Sequence, residues 1–195
     1  MKMISSITSP RLIIRPIILD DAKSYFDAEM ASVDELMPRW SWALTDKSVL
    51  DINEFIRYAR ECHGKEPPPE IYFSVISRET NRFLGVIWFF DINWFVPTFE
   101  LAYWLDTRET GKGYITEAVN ALTRACFDFY AAKRVQIKIA SDNYKSKGIP
   151  ARLNFKFECK MENYFFNHVT RKVTSGLLYS CCDKKLLPLM DVEIV

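Results

Sequence analysis

The stretch Glu100-Leu101-Ala102-Tyr103-Trp104-Leu105-Asp106-Thr107-Arg108-Glu109-Thr110-Gly111-Lys112-Gly113-Tyr114 leads from a predicted strand, through a loop with two glycines, into a predicted helix. Glycine permits a positive φ angle and the close approach of a ligand. Successive backbone amides that open into a helix N-terminus attract anions. The chain has only 6 glycines, and two of them stand in this loop. The stretch therefore predicts an anion-binding loop at the start of a helix.

This loop differs from two common phosphate-binding motifs. Gly113 follows Lys112 at the position where a Walker A loop has serine or threonine. Thr116 occupies the position of the third glycine in a dinucleotide-binding fingerprint. An ordinary turn that binds no ligand is the alternative, and the loop by itself does not decide between the two interpretations.

The pattern of apolar residues predicts the elements on either side of the loop. Apolar stretches, which alternate with polar residues over 134–139, predict strands over residues 11–18, 71–76, 83–92, 99–106, 134–139, 155–165 and 173–182. Helices are predicted from Asp20, after Thr45 or Asp46, from Ile115 and over residues 149–153, where Pro150 would fit a first turn. This order predicts one α+β domain over residues 1–195, with a core over about 9–183. Its mixed, mostly antiparallel sheet of about seven strands would carry helices on both faces.

The composition is that of a soluble globular protein. Apolar residues make up 49%, aromatic residues 14% and charged residues 26% of the chain, and no apolar run is long enough to span a membrane. The net charge of +1 argues against a dedicated nucleic-acid binder. Five cysteines without a Cys-x-x-Cys pair, and only two histidines, predict no metal site and fit a reducing cytoplasm. Basic residues between Lys133 and Lys160 predict either a solvated surface or a site for a small polyanion.

Three motifs in this chain resemble those of the GNAT N-acetyltransferases. Arg108-x-x-Gly111-x-Gly113 follows the predicted strand, Asn143-x-x-Ser146 follows the next strand, and Leu153-Asn154-Phe155 comes after it. Their joint spacing, over about residues 9–183, is similar to that of the ribosomal-protein alpha-amino acetyltransferases. The resemblance implies the GNAT fold, acetyl-CoA as co-substrate and no metal.

The resemblance also implies which residues bind acetyl-CoA. Amides of the glycine loop would bind the pyrophosphate. The backbone of Trp104 and Leu105 would align the pantetheine arm in the splay between two parallel strands, and Asn143 would hold that arm. The complete implied set is Trp104, Leu105, Arg108, Glu109, Thr110, Gly111, Lys112, Gly113, Tyr114, Thr116, Asn143 and Ser146.

Acetyl transfer to an amine needs a proton acceptor, a group that stabilises the oxyanion and a proton donor for the leaving thiolate. Glu100 is the candidate base, with a solvent-facing strand carboxylate as the alternative, and a backbone amide of the same strand would polarise the carbonyl. Ser146 is the candidate donor to the thiolate, with helix capping as its alternative role. Pro150 stands where many members of the superfamily have a tyrosine acid, so Tyr103 and Tyr144 are reserve acids.

The acceptor amine is open at this point. The resemblance favours the N-terminal alpha-amine of a protein or peptide. Polyamines, aminoglycosides and amino sugars are the enzymatic alternatives, and a catalytically idle acyl-CoA-binding protein is the alternative outside enzymes. Trp40, Trp42, Trp94 and Phe95 predict an apolar mouth, which disfavours polyamines. The sequence does not decide the oligomeric state, and a homodimer is one of the states we consider.

Overall fold

The computed structural model describes residues 2–43 and 45–195. Within these ranges the strands are β1 (Ile7–Thr8), β2 (Leu12–Pro16), β3 (Ile71–Ser77), β4 (Phe83–Asn93), β5 (Thr98–Leu105), β6 (Arg134–Ala140), β7 (Lys156–Asn167), β8 (Lys172–Cys181) and β9 (Glu193–Ile194). The α-helices there are α1 (Ala22–Met30), α2 (Val33–Leu36), α3 (Val49–Gly64), α4 (Tyr114–Phe129) and α5 (Tyr144–Arg152). None of the helices in these two ranges combines the length and the apolar character needed to cross a bilayer.

All of these strands belong to one sheet, in the order β7-β8-β6-β5-β4-β3-β2-β1-β9. Neighbouring strands pair antiparallel except β5 and β6, which are parallel and are connected through α4. The predicted α+β class and mostly antiparallel sheet are confirmed. The two strands beyond the predicted seven are β1 and β9. Each has two residues, which is too short for a period of two to be visible in the sequence.

Helices cover both faces of the sheet, as predicted. Ala118 and Leu122 of α4 belong to the same buried cluster as Ile87 of β4. Ile56 of α3 belongs to a second buried cluster, together with Val86 of β4. Successive residues of a strand point to opposite faces, so β4 contributes to both clusters. Each buried valine, leucine or isoleucine side chain among these contributes about 1.5–3 kcal/mol to stability.

Helix α3 begins later than the sequence prediction. Its first residue is Val49, and the Asp51 carboxylate accepts hydrogen bonds from both the amide and the hydroxyl of Ser48, each at 2.7 Å. A cap of this kind satisfies donors at the helix start that have no partner within the helix. The predicted start, directly after Thr45 or Asp46, is therefore too early.

Helix α5 begins earlier than predicted, at Tyr144. Asn143 is its N-cap, and the Asn143 side-chain oxygen accepts a hydrogen bond from the amide of Ser146 at 3.2 Å. Pro150 therefore lies inside the helix and not in its first turn. It is tolerated because the helix ends at Arg152, so only one bond of the final turn is lost. Residues 144–148 read Tyr-Lys-Ser-Lys-Gly, which has no apolar periodicity to mark a helix.

Candidate active site

The parallel strands β5 and β6 separate after their first residues. They form three residue pairs, of which the last joins Glu100 to Gln136, although β5 continues to Leu105 and β6 to Ala140. On the side facing β6, residues 101–105 therefore have no strand partner. An unpaired strand edge offers amides and carbonyls to an extended ligand. The splay implied by the resemblance is present.

The glycine loop has the backbone conformation that its sequence predicts. Gly111 and Gly113 have φ angles of +80° and +81°, and Gly113 directly precedes α4. Residues with a side chain are disfavoured at such angles. Arg11 holds the loop from outside, because its Nη1 donates to the carbonyl of Lys112 at 2.9 Å and its Nε lies 2.6 Å from Glu117 Oε2. Arg11 thus ties the residue between the two glycines to the first turn of α4.

A cavity of about 780 Å³ lies between this loop, the end of β5 and the start of α5. We call it the glycine-loop cavity. Its volume falls within the range of roughly 300–1,000 Å³ that is typical of small-molecule sites. The predicted cofactor-binding residues that line it are Trp104, Leu105, residues 110–114, Thr116, Asn143 and Ser146.

The side chains of Arg108 and Glu109 stand apart from the glycine-loop cavity. Arg108 Nη2 lies 2.6 Å from the Asp106 carboxylate. Glu109 pairs with Arg82 at 2.9 Å and with Lys112 at 2.7 Å. Burial acts to raise the pKa of Asp106, but the hydrogen bonds from Arg108 outweigh it and hold that pKa below its usual value. Both side chains therefore hold the loop in shape through ion pairs within the protein.

Three cationic side chains outside the loop also line the cavity. Arg39 pairs with Asp142 at 2.7 Å, and Lys145 pairs with Glu35 at 2.6 Å, so two ion pairs join the α2 region to the start of α5. Arg152 forms no ion pair with any described residue. Lys145 and Arg152 belong to the basic stretch for which a polyanion site is one of the two interpretations. Arg39 is far from these two residues in the sequence, and no local sequence pattern predicts that it lines the cavity.

Glu100 is buried at the last parallel pair, with 3% of its surface exposed. Its Oε2 lies 2.6 Å from Lys138 Nζ and accepts a hydrogen bond from Gln136 Nε2 at 2.9 Å. Burial acts to lower the pKa of Lys138, but hydrogen bonding to Glu100 and Tyr164 outweighs it and raises that pKa. Glu100 does not itself line the glycine-loop cavity. The other oxygen of Glu100, Oε1, contacts neither Lys138 nor Gln136 in this way. The role of Glu100 as a base stays a prediction.

The candidate acids differ in where they lie. Ser146 lines the cavity from the first turn of α5. Tyr103 lines it too, and its hydroxyl is buried without a hydrogen-bond partner among the described residues. Burial raises the pKa of Tyr103. The nearby hydroxyl of Ser146 and the positive charge of Arg152 lower this pKa but do not outweigh the burial. Tyr144 is 79% exposed. Of the two reserve tyrosines, only Tyr103 therefore faces the cavity.

The aromatic residues predicted at the mouth lie in different places. Trp40 lines the glycine-loop cavity and stacks on Trp42, with ring centroids 5.8 Å apart. Trp94 packs edge-on against Phe99 at 5.2 Å, within the cluster that includes α4. Phe95 is 99% exposed in the turn between β4 and β5. The prediction was wrong for Trp94 and Phe95, because that turn places Trp94 on the opposite face of the sheet.

Comparison with known proteins places the chain in a family. Residues 11–156 match the model of the acetyltransferase (GNAT) domain. The chain belongs to the GNAT acetyltransferase family. One relative with a reviewed description, the ribosomal-protein-serine acetyltransferase of Escherichia coli (strain K12), is 33% identical over 88 residues. That match covers 45% of this GNAT chain and 49% of the relative, so it spans about half the relative's length.

Solved structures of other proteins share the GNAT fold of this chain. The ribosomal L7/L12 alpha-N-protein acetyltransferase RimL, in complex with coenzyme A, has a TM-score of 0.81 at 18% identity, over 93% of this chain and 99% of that one. The microcin C7 self-immunity acetyltransferase MccE, in complex with acetyl-CoA and AMP, has a TM-score of 0.80 at 20% identity, over 89% and 93%. At these identities the likeness shows the fold.

The residues of the glycine-loop cavity fit the chemistry of acetyl-CoA. The N-terminus of α4 and the amides of the glycine loop suit a pyrophosphate. Arg152, together with Lys112 at the loop, adds positive charge for phosphate oxygens. The unpaired edge of β5 suits the amide groups of pantetheine. The described residues contain no group of three or more His, Cys, Asp or Glu side chains that could hold a metal ion.

Gly85 holds the splayed strand in position from the opposite side. A Cβ atom at Gly85 would stand 2.3 Å from the carbonyl oxygen of Trp104 and 2.9 Å from Cα of Leu105. We expect Gly85→Ala to lower the free energy of unfolding by about 1–3 kcal/mol, the usual cost of overpacking, and to displace β5 at the cavity. Urea unfolding measures the first effect. Gly64→Ala is the matched control, because a Cβ there meets nothing within 4 Å. Equal stability of the two variants would contradict the prediction.

Proposed function

We propose that this chain transfers the acetyl group of acetyl-CoA to the N-terminal alpha-amine of a protein or peptide. The observation that carries the proposal is the unpaired edge of β5, which opens into a cavity bounded by two positive-φ glycines and the N-terminus of α4. The GNAT family and the ribosomal-protein acetyltransferases among its relatives support the same reaction.

In this proposal acetyl-CoA lies along the glycine-loop cavity. Amides of residues 110–114 bind the pyrophosphate, and Lys112 and Arg152 neutralise phosphate oxygens. The pantetheine arm hydrogen-bonds to the free edge at Trp104 and Leu105. The side-chain oxygen of Asn143 is already used in capping α5, so its amide group is the part available to the arm.

Four groups serve the chemical step. Glu100 accepts the proton of the attacking amine, directly or through a water molecule, while Lys138 and Gln136 hold its other oxygen in place. A backbone amide of β5 polarises the thioester carbonyl. Ser146 donates a hydrogen bond to the leaving sulfur, and the buried hydroxyl of Tyr103 is the second donor at that position. A thiol has a pKa of about 8.5, so stabilising its anion requires only a modest donor.

The basicity of the amine favours an alpha-amine as the acceptor. An alpha-amine has a pKa of about 7.7–8.0, so a useful fraction is neutral near pH 7. A lysine side chain, with a pKa of about 10.4, is almost fully protonated and needs a stronger base or desolvation. Glu100 is the candidate base, and neither His63 nor His168 lines the glycine-loop cavity. This limited set of groups suits the amine that is easier to deprotonate.

Mass spectrometry of matched peptides tests the acceptor. One peptide has a free N-terminus and no lysine, and its partner has a blocked N-terminus and one accessible lysine. We expect acetylation of the first peptide at its alpha-amine and none of the second, with spermidine as a third acceptor in parallel. Preferential acetylation of lysine or spermidine would overturn the alpha-amine assignment and favour a small-amine acetyltransferase.

A further inference from the structure

A second cavity, of about 430 Å³, lies on the face of the sheet covered by α1 and α3. We call it the aromatic cavity, because rings of Tyr25, Trp42, Phe55, Tyr72 and Trp88 line it. Trp104 lines both this cavity and the glycine-loop cavity. The two cavities are therefore adjacent.

The rings of this cavity are held in fixed positions by one another. Tyr72 stacks on Trp88, with centroids 5.9 Å apart and planes at 17°. Phe55 meets Tyr72 edge-on at 5.2 Å. Trp42 stacks on Trp40, which in turn contacts Trp88 at 5.5 Å. Such an enclosure presents aromatic faces, and aromatic faces attract cations.

The charges at the cavity are mostly negative. Glu70 lines it, and its Oε2 accepts hydrogen bonds from the hydroxyls of Tyr58 at 3.0 Å and Tyr72 at 2.8 Å. Asp51 lines it as well, with its carboxylate engaged by Ser48 at the start of α3. Neither carboxylate forms an ion pair with a residue in the described ranges.

Lys47 of the chain itself already lies between an aromatic ring and a carboxylate. Lys47 Nζ lies 4.9 Å from the centre of the Trp42 ring and 2.5 Å from Oε1 of Glu29. Glu29 is fully buried on α1, so it balances the charge of Lys47 from behind the cavity wall. Lys47 also lines the cavity and acts electrostatically on Asp51, so Glu70 is the carboxylate that remains for a cation from outside.

We infer that the aromatic cavity binds a second cationic group of the acceptor, an ammonium or guanidinium, while a different amine of the same molecule is acetylated. This inference rests on the proposed function, since it concerns the acceptor of that reaction. In a peptide the second cation is the side chain of a lysine or arginine close to the N-terminus. In a polyamine it is the distal ammonium. Glu70 selects for the charge, and the rings of Trp42, Trp88 and Tyr72 enclose it.

A set of peptides that differ only at the second residue tests the inference. Each peptide has a free N-terminus, followed by arginine, norleucine or glutamate, and kcat/KM is measured by thiol release from acetyl-CoA. We expect kcat/KM for the arginine peptide to exceed that for the norleucine peptide by about tenfold, which corresponds to about 1.4 kcal/mol, and kcat/KM for the glutamate peptide to be the lowest.

A variant of Glu70 tests whether its charge causes this preference. Glu70→Gln keeps an acceptor for both tyrosine hydroxyls but removes the charge, so the preference for arginine should fall to about twofold or less. Glu79→Gln, at an exposed turn residue, should keep the full preference.

Direct binding of a probe that cannot be acetylated separates this inference from the proposed function. Tetramethylammonium chloride, compared with sodium chloride at equal ionic strength, should change the tryptophan fluorescence of the wild type and not of Glu70→Gln. If no peptide is acetylated but this response is present, the alpha-amine proposal fails and the cation site stands. If spermidine reacts faster than every peptide and loses its advantage in Glu70→Gln, the second cation belongs to a polyamine. Equal kcat/KM for arginine and norleucine peptides, or no response to the probe, would overturn the inference.

Discussion

Glu100→Gln is expected to lower kcat by roughly 10²–10⁴ while leaving the affinity for CoA unchanged. Glutamine has nearly the same shape and can still meet Lys138 and Gln136 through its oxygen, but it cannot take a proton from the amine. Glu100 does not line the glycine-loop cavity, so CoA should bind as before. Steady-state kinetics with a peptide acceptor, together with calorimetric titration of CoA, separate the two effects.

The control for this variant removes a carboxylate elsewhere. Glu61→Gln changes an exposed residue of α3, and its kcat should match that of the wild type. A Glu100→Gln enzyme that turns over at the wild-type rate across neutral pH would show that the carboxylate only positions β6 through Lys138. Loss of both kcat and CoA binding in Glu100→Gln would also show that Glu100 has a structural role.

Gly111→Val is expected to raise the dissociation constant for CoA by about tenfold or more. A residue with a side chain at this φ angle of +80° is strained by roughly 1–2 kcal/mol. The free loop can relieve this strain by leaving the conformation that binds CoA. Restoring that conformation on binding costs affinity, and about 1.4 kcal/mol corresponds to a factor of ten. A Cβ atom at Gly111 meets no protein atom within 4 Å. The valine methyl groups would therefore project into space at the cavity without striking the protein. The fold should survive while the ligand loses its close approach to the loop.

Calorimetric titration of CoA measures this change. Gly64→Val is the matched control, because Gly64 also has nothing within 4 Å of a Cβ position but does not have a positive φ angle. Its affinity for CoA should equal that of the wild type. An unchanged affinity in a folded Gly111→Val protein would remove the glycine loop from the binding site.

The sequence predicts best those parts of the molecule whose signal is local. The strands β3 and β4 are short apolar runs and β6 alternates apolar with polar residues, so each has a local signal. The glycines at 111 and 113 have the positive φ angles predicted for the loop before α4. Asn154, just after α5, takes a left-handed conformation too, with a φ angle of +57°, which asparagine tolerates at the end of a helix. Local geometry of this kind depends on neighbours in the chain, which can be read directly.

The sequence predicts less well whatever depends on contacts between distant residues. The sequence prediction places Trp94 beside Trp40 because both are aromatic, yet the face on which a residue at a strand end lies depends on the register of that strand in the sheet. The pairing of Glu100 with Lys138 joins two strands that meet only in the folded protein. The aromatic cavity has no sequence signal, because its walls come from two helices, two loops and three strands that are far apart in the chain. Its lining had to be seen in three dimensions.

Trp104 belongs to the walls of both cavities, and this shared side chain has a thermodynamic consequence. If binding in one cavity moves the Trp104 side chain to a position that favours binding in the other, acetyl-CoA and the acceptor strengthen each other's binding. Both affinities then rise by the same factor, since coupling free energies are reciprocal. Because Trp104 is also buried against Tyr25 and Phe83, any such movement must repack that cluster. Communication between the two substrates would therefore depend on the stability of the core around one indole ring.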